Sequence, residues 1–234
     1  MLKYLKFHFA YFLNKMVILT TSIMFLFAFI VFIIVASINK NSIYFNIIYF
    51  DTVLLFMRIV MVIVASFLAG EAFWVEKDQY RLFLIDSKNK RIPYVLTKIS
   101  AILLIIALLY IIQVIFGLLI GIIFQNNFVI GVNQIEVLVW TYFIVILYGM
   151  YSSFFTILFQ NSFMILFPMV LFLCRELIIN YDEKMISNIV SIVLPNIYND
   201  KGLYYLPFGI IHIIVLVLLV ISSNVVAYYN KDLN

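Results

Sequence analysis

Six stretches of the chain are apolar for about 20 residues each, at about 16–38, 52–74, 99–124, 137–159, 162–179 and 208–229. A bilayer core roughly 30 Å thick needs about 20 residues of helix, because each residue rises about 1.5 Å. Hydrocarbon offers the backbone no hydrogen-bond partner, so such stretches must be helical. A transmembrane barrel would instead show short alternating segments, and none is visible. The sequence therefore predicts an all-α integral membrane protein of six transmembrane helices in one domain, residues 1–234. Composition agrees: 66% of the residues are hydrophobic and only 11% are charged. A water-soluble domain is about 25% charged. A net charge of +4 suits loops beside anionic lipid better than a nucleic-acid surface.

The basic residues orient the spans. Lys3, Lys6, Lys15, Lys77, Arg81, Lys88, Lys90, Arg91, Lys98 and Lys231 fall on one side, against Lys40, Lys184 and Lys201 on the other. Lys and Arg concentrate in the cytoplasm, which predicts cytoplasmic termini and a cytoplasmic 75–98 loop. Val35-Ala36-Ser37 has the look of a signal-peptidase site, but the preceding apolar run is too long for a secretory signal, so a retained first span is expected.

Between the spans, three segments carry pattern. Residues 1–15 place Leu2, Leu5, Phe9, Phe12 and Leu13 on one helical face with lysines away from it, as in an amphipathic lateral helix lying in the interface. The 75–98 loop brackets Leu82-Phe83-Leu84-Ile85 between charged runs, a patch too short to span and suited to a short helix that offers Leu82, Phe83 and Ile85 to a cytoplasmic partner. Lying near anionic lipid is the alternative for its basic residues. Residues 181–207 combine Asp182-Glu183-Lys184, an apolar stretch of about ten residues and Pro195, which suggests external half-helices. The Asn-rich loops 39–50 and 125–136 read as plain connections.

Within the spans, ionisable and polar residues are costly and therefore informative. Arg58 lies in the outer half of the second span, and Arg175 and Glu176 lie toward the outer end of the fifth. They either line a polar pathway or serve assembly, with Arg58 snorkelling or paired to Asp51 or Glu176. Gln113, Gly117 and Gly121 recur every fourth residue, a spacing that lets helices approach closely and lets an amide bond across the contact. Pro168 is expected to bend the fifth span. Catalytic signatures are missing: no phosphate-binding Gly-x-x-x-x-Gly-Lys loop, no His-Glu-x-x-His and no Gly-x-Ser-x-Gly occurs. Cys174 sits alone in an apolar run and reads as a small hydrophobe. The chain by itself is not expected to be an enzyme or to hold a metal.

The order Glu76, Tyr80-Arg81-Leu82, Leu84-Ile85, Lys90-Arg91, Lys98, followed by Leu194-Pro195-Asn196 ahead of the last span, resembles small bacterial ABC transporter permeases of the type-2 exporter class, the type V exporter fold. In that family a Glu closes the second span, a coupling helix follows, and basic residues open the third. This sequence reads Asp86-Ser87-Lys88 where the family often has a proline. The resemblance implies a separate ATP-binding subunit that holds ATP and Mg and docks at Glu76, Arg81, Leu82, Phe83, Ile85 and Arg91. It also implies a second permease copy or a related permease, and export of amphipathic or antimicrobial peptides such as phenol-soluble modulins and lantibiotics. The rival readings are an ATP-independent scaffold, sensor or immunity protein, and a passive channel, which would show a strongly polar face along several spans.

Overall fold

The computed structural model describes residues 15–74, 88–125, 128–178, 193–194 and 209–230. Every regular element among them is helical: α1 (Lys15–Asn39), α2 (Phe45–Trp74), α3 (Lys88–Phe124), α4 (Val132–Phe159), a 3-10 turn (Ser162–Ile165), α5 (Phe167–Ile178) and α6 (Gly209–Asn230). Five of these, α1, α2, α3, α4 and α6, are long and apolar enough to cross a bilayer. The chain is a multi-pass helical membrane protein.

The expected fifth span at 162–179 differs. Among the described residues it is a 3-10 turn followed by a 12-residue helix. α5 is described as far as Ile178, and the residues that follow it, 179–192, lie outside the described residues. Pro168 does not bend a span. It occupies the first turn of α5, where its missing N–H is not needed and its fixed φ favours the start of a helix. The break upstream is built from two residues. Gln160 adopts the left-handed conformation (φ 50°) and its N–H donates to the Thr156 carbonyl at 3.1 Å, closing α4. The Asn161 side chain then accepts from the Phe163 N–H at 3.0 Å and opens the 3-10 turn.

Three helices reach beyond their apolar limits. α2 starts at Phe45 and α4 at Val132, so parts of the loops expected to be plain connections are helical. Gly131 precedes α4, and its N–H donates to the Gln134 side chain at 2.8 Å. α3 starts at Lys88, eleven residues before its apolar run, with Pro93 inside it. Hydropathy marks where lipid begins, not where helical hydrogen bonding begins. The lateral helix over 1–14, the loop residues 75–87 and most of the half-helix segment 181–207 lie outside the described residues.

The bundle is organised around α2 and α4. Of the most apolar stretch of each helix, 72% is buried in α2 and 61% in α4, against 17% in α1 and 28% in both α3 and α6. α2 and α4 run parallel and touch through small residues. A Cβ placed on Gly149 would lie 3.3 Å from both the Cβ and the carbonyl oxygen of Ala65, and one on Gly70 would meet Ser152 Oγ and Ile165. Ser152 Oγ donates to the Ser66 carbonyl at 2.7 Å across this contact. Close approach and interhelical hydrogen bonds replace the hydrophobic drive that lipid does not supply.

α6 joins α4 through one buried amide. Ser153 Oγ donates to Asn224 Oδ1 at 3.0 Å, and Asn224 Nδ2 donates to the Met150 carbonyl at 3.1 Å. Asn224→Ala removes both bonds and is expected to cost about 1 kcal/mol. Thermal unfolding in detergent measures this; a variant that melts with the parent would show that the amide adds nothing to the α4–α6 contact.

Candidate functional site

Two groups of polar side chains stand out, one midway along the bundle and one at the end that carries Trp74 and Asn230. The first is centred on Arg58. Arg58 is the fourteenth of the 30 residues of α2, close to the helix midpoint. It is fully buried, and its guanidinium carbon lies 5.9 Å from the centroid of the Phe172 ring on α5. An arginine over an aromatic face inside a low-dielectric bundle is held by the ring quadrupole. On the α3 side, the guanidinium is near enough to the Tyr110 phenol to act on it electrostatically. Tyr110 is itself 6% exposed and its hydroxyl donates to the Leu138 carbonyl of α4 at 2.7 Å.

The register of α2 against α3 brings Gln113 to the same level. Tyr49 donates to the Gly117 carbonyl at 2.7 Å, and Gly117 faces Val53 while Gly121 faces Tyr49. The pair is antiparallel, so one turn further along, Gln113 is level with Met57 and Arg58. Gly117 and Gly121 thus sit where α3 comes against Val53 and Tyr49. Gln113 departs from the sequence expectation that its amide would bond across the contact. The side chain is 1% exposed, and neither its oxygen nor its nitrogen has a hydrogen-bond partner among the described residues. Thr141 of α4, fully buried, completes the layer beside Tyr110.

Arg175 bonds to residue 194. It lies near the far end of α5, 4% exposed, and its Nε donates to the Leu194 carbonyl at 3.2 Å, next to the bond from the Tyr151 hydroxyl to the Val193 carbonyl at 2.8 Å. Its role there is to seat residues 193–194 on the bundle. The backbone of Glu176 is in α5, but its side chain lies outside the described residues.

The second group ties three helices together at the other end. Arg91, in the first turn of α3, donates through Nη1 to the Tyr229 carbonyl at 3.0 Å. A cation on the last carbonyls of a helix satisfies orphan acceptors and complements the helix dipole. Lys98 is 2% exposed, with its ammonium 4.3 Å from the Phe73 ring and 5.9 Å from that of Tyr94. Tyr228 packs on both rings, at 6.0 Å from Phe73 and 6.3 Å from Tyr94. The ends of α2, α3 and α6 therefore meet around one desolvated lysine. Of the residues expected to engage a partner, only Arg91 is described; Glu76, Arg81, Leu82, Phe83 and Ile85 lie outside the described residues.

Sequence reasoning missed Tyr110, Thr141, Ser66, Ser152, Ser153, Asn224 and the Lys98 box. Their signal is a polar residue inside an apolar run, and it is weaker for Ser, Thr, Tyr and Asn than for a charge. Among the described residues no three His, Cys, Asp or Glu side chains converge as a metal site would require. No protein-family model matches the chain, and no curated protein does either.

Proposed function

We propose that this chain is the membrane permease subunit of an ATP-driven ABC exporter in the cytoplasmic membrane of a bacterium. Its six apolar segments are taken to cross the bilayer with both termini inside, and two permease halves, identical or related, enclose the pathway. Power comes from a separate subunit that binds ATP and Mg, since this sequence has no phosphate-binding loop of its own. An amphipathic or antimicrobial peptide is the cargo that the family resemblance favours.

One observation carries the reading: the loop order of Glu76, the Leu82-Phe83-Leu84-Ile85 patch, Lys90-Arg91 and Lys98, on the side where the basic residues gather. The geometry at the loop's exit supports it. A force applied to the loop would enter α3 at Lys88 and pass directly to α6 through the bond from Arg91 to Tyr229 and to α2 through the Lys98 box. Such a junction lets ATP binding, which favours one arrangement of the nucleotide domains over another, bias the membrane helices.

Co-purification tests the proposal. Expressed from its native operon with a tag, the chain should carry along an ATPase subunit, and the paired change Leu82→Asp and Phe83→Asp should release it while leaving the permease folded. A solitary chain that never retains an ATPase would reject the exporter reading in favour of a scaffold or immunity protein.

A further inference from the structure

From Met57 to Phe73, α2 is buried at every position except Ile59, Ile63, Phe67 and Glu71. These four recur every fourth residue, so they form one line along an otherwise enclosed helix. Three of them are apolar. The fourth brings a half-buried carboxyl group that has no hydrogen bond or ion pair among the described residues. The line runs past the 3-10 turn that follows α4. Gly70, beside Glu71 in the chain, lies so near Ile165 of that turn that an added Cβ would strike its side chain. The turn's Phe163 is 75% exposed, and Leu166 just after it is 49% exposed. Glu71 also lies close to Phe73, against which the Lys98 ammonium rests. It therefore belongs to the end of the bundle that the proposed topology puts in the cytoplasm.

We infer that the Ile63–Phe67–Glu71 line and the neighbouring 3-10 turn receive a cationic amphipathic peptide. Its apolar face covers Ile63, Phe67, Phe163 and Leu166, and one of its lysines or arginines pairs with Glu71. Charge complementarity selects this occupant. An acidic side chain in a membrane span normally faces a partner or a substrate path, because leaving it unpaired in apolar surroundings is costly. An anionic lipid headgroup would be repelled by the carboxylate. A second copy docking by this face through a two-fold axis presents the same residues, so it brings another carboxyl group and not a cation. Lysine and arginine suit the place, since their long apolar stems lie along hydrocarbon while the charged head reaches past it. The inference deepens the exporter reading and rests on it for calling the peptide a cargo. Binding itself needs no ATPase subunit, so the two can fail separately.

The test uses the purified chain in phosphatidylcholine nanodiscs, without an ATPase subunit. The probes are a dansyl-labelled helical peptide of leucine and lysine and its counterpart with glutamate in place of every lysine. Saturable binding of the lysine peptide above empty nanodiscs is expected, with the glutamate peptide weaker by about fivefold. Glu71→Gln should weaken the lysine peptide by a similar factor and leave the glutamate peptide unchanged. Glu71→Lys should reverse the preference. Phe163→Ser, at an exposed position, should weaken both peptides, and it serves if the Glu71 variants do not fold. Equal binding of the two peptides, unchanged binding of the lysine peptide in Glu71→Gln or in Phe163→Ser, or no saturable signal overturns the assignment. So does a Glu71→Gln chain that elutes as a larger oligomer than the parent, which would give the face to a second copy.

Discussion

Gly149→Leu is expected to part α2 from α4 and to leave little folded protein. A Cβ at this position already comes within 3.3 Å of the Ala65 carbonyl oxygen and 3.4 Å of its carbonyl carbon. These are backbone atoms in the middle of a helix and cannot rotate away, so a leucine must push the two helices apart. Overpacking a filled core costs about 1–3 kcal/mol, and here the displacement also breaks the bond from Ser152 to the Ser66 carbonyl. We expect a loss of about 3 kcal/mol or more, seen as a large fall in detergent melting temperature and in monodisperse yield. Gly70→Ala should be milder, since the atoms it meets, Ser152 Oγ and the side chain of Ile165, belong to side chains that can shift. Equal tolerance of leucine and glycine at 149 would show that α2 and α4 do not make this contact in the membrane.

Arg58→Glu is the second large effect. The residue is fully buried, midway along α2, against the Phe172 ring and near the Tyr110 phenol. A carboxylate there meets the electron-rich face of Phe172, where the guanidinium meets an attractive one. An unpaired charge left inside a protein costs about 3–5 kcal/mol, comparable with the whole stability of a marginal domain. Arg58→Lys keeps the charge over the ring and should lose far less, though it gives up the planar fork. Size-exclusion profile and melting temperature distinguish the three proteins. A well-folded Arg58→Glu chain would mean that water reaches this position.

Why the layer around Arg58 was only partly legible in sequence follows from how each member signals. Arg58 and Gln113 stand out because polar residues in an apolar run are rare. Tyr110 does not: the chain has 16 tyrosines, and nothing in their spacing separates one beside a guanidinium from one facing lipid. Thr141 is equally silent. Arg58, Arg175 and Glu176 read alike because all three are charged and lie in apolar runs, and only the structure shows that Arg175 Nε donates to the Leu194 carbonyl. Pro168 shows a different limit. Its ring forbids a helix interior but is welcome in a first turn, and the choice was made upstream by Gln160 and Asn161, which end one helix and open the next.

Sequence alone determined that the chain is a bundle of membrane-length helices, because runs of apolar residues leave the backbone no other way to satisfy its hydrogen bonds in lipid. It also shows the basic residues gathered ahead of the first apolar run and between the second and third. Only the tertiary structure decided which helices are central, which faces meet, and that Arg91 ends on the last turn of α6. These helices are apolar on every side, so no hydrophobic stripe marks the face that will be buried. In lipid the buried face is instead picked out by small residues and interhelical hydrogen bonds, whose partners lie tens of residues away in the chain.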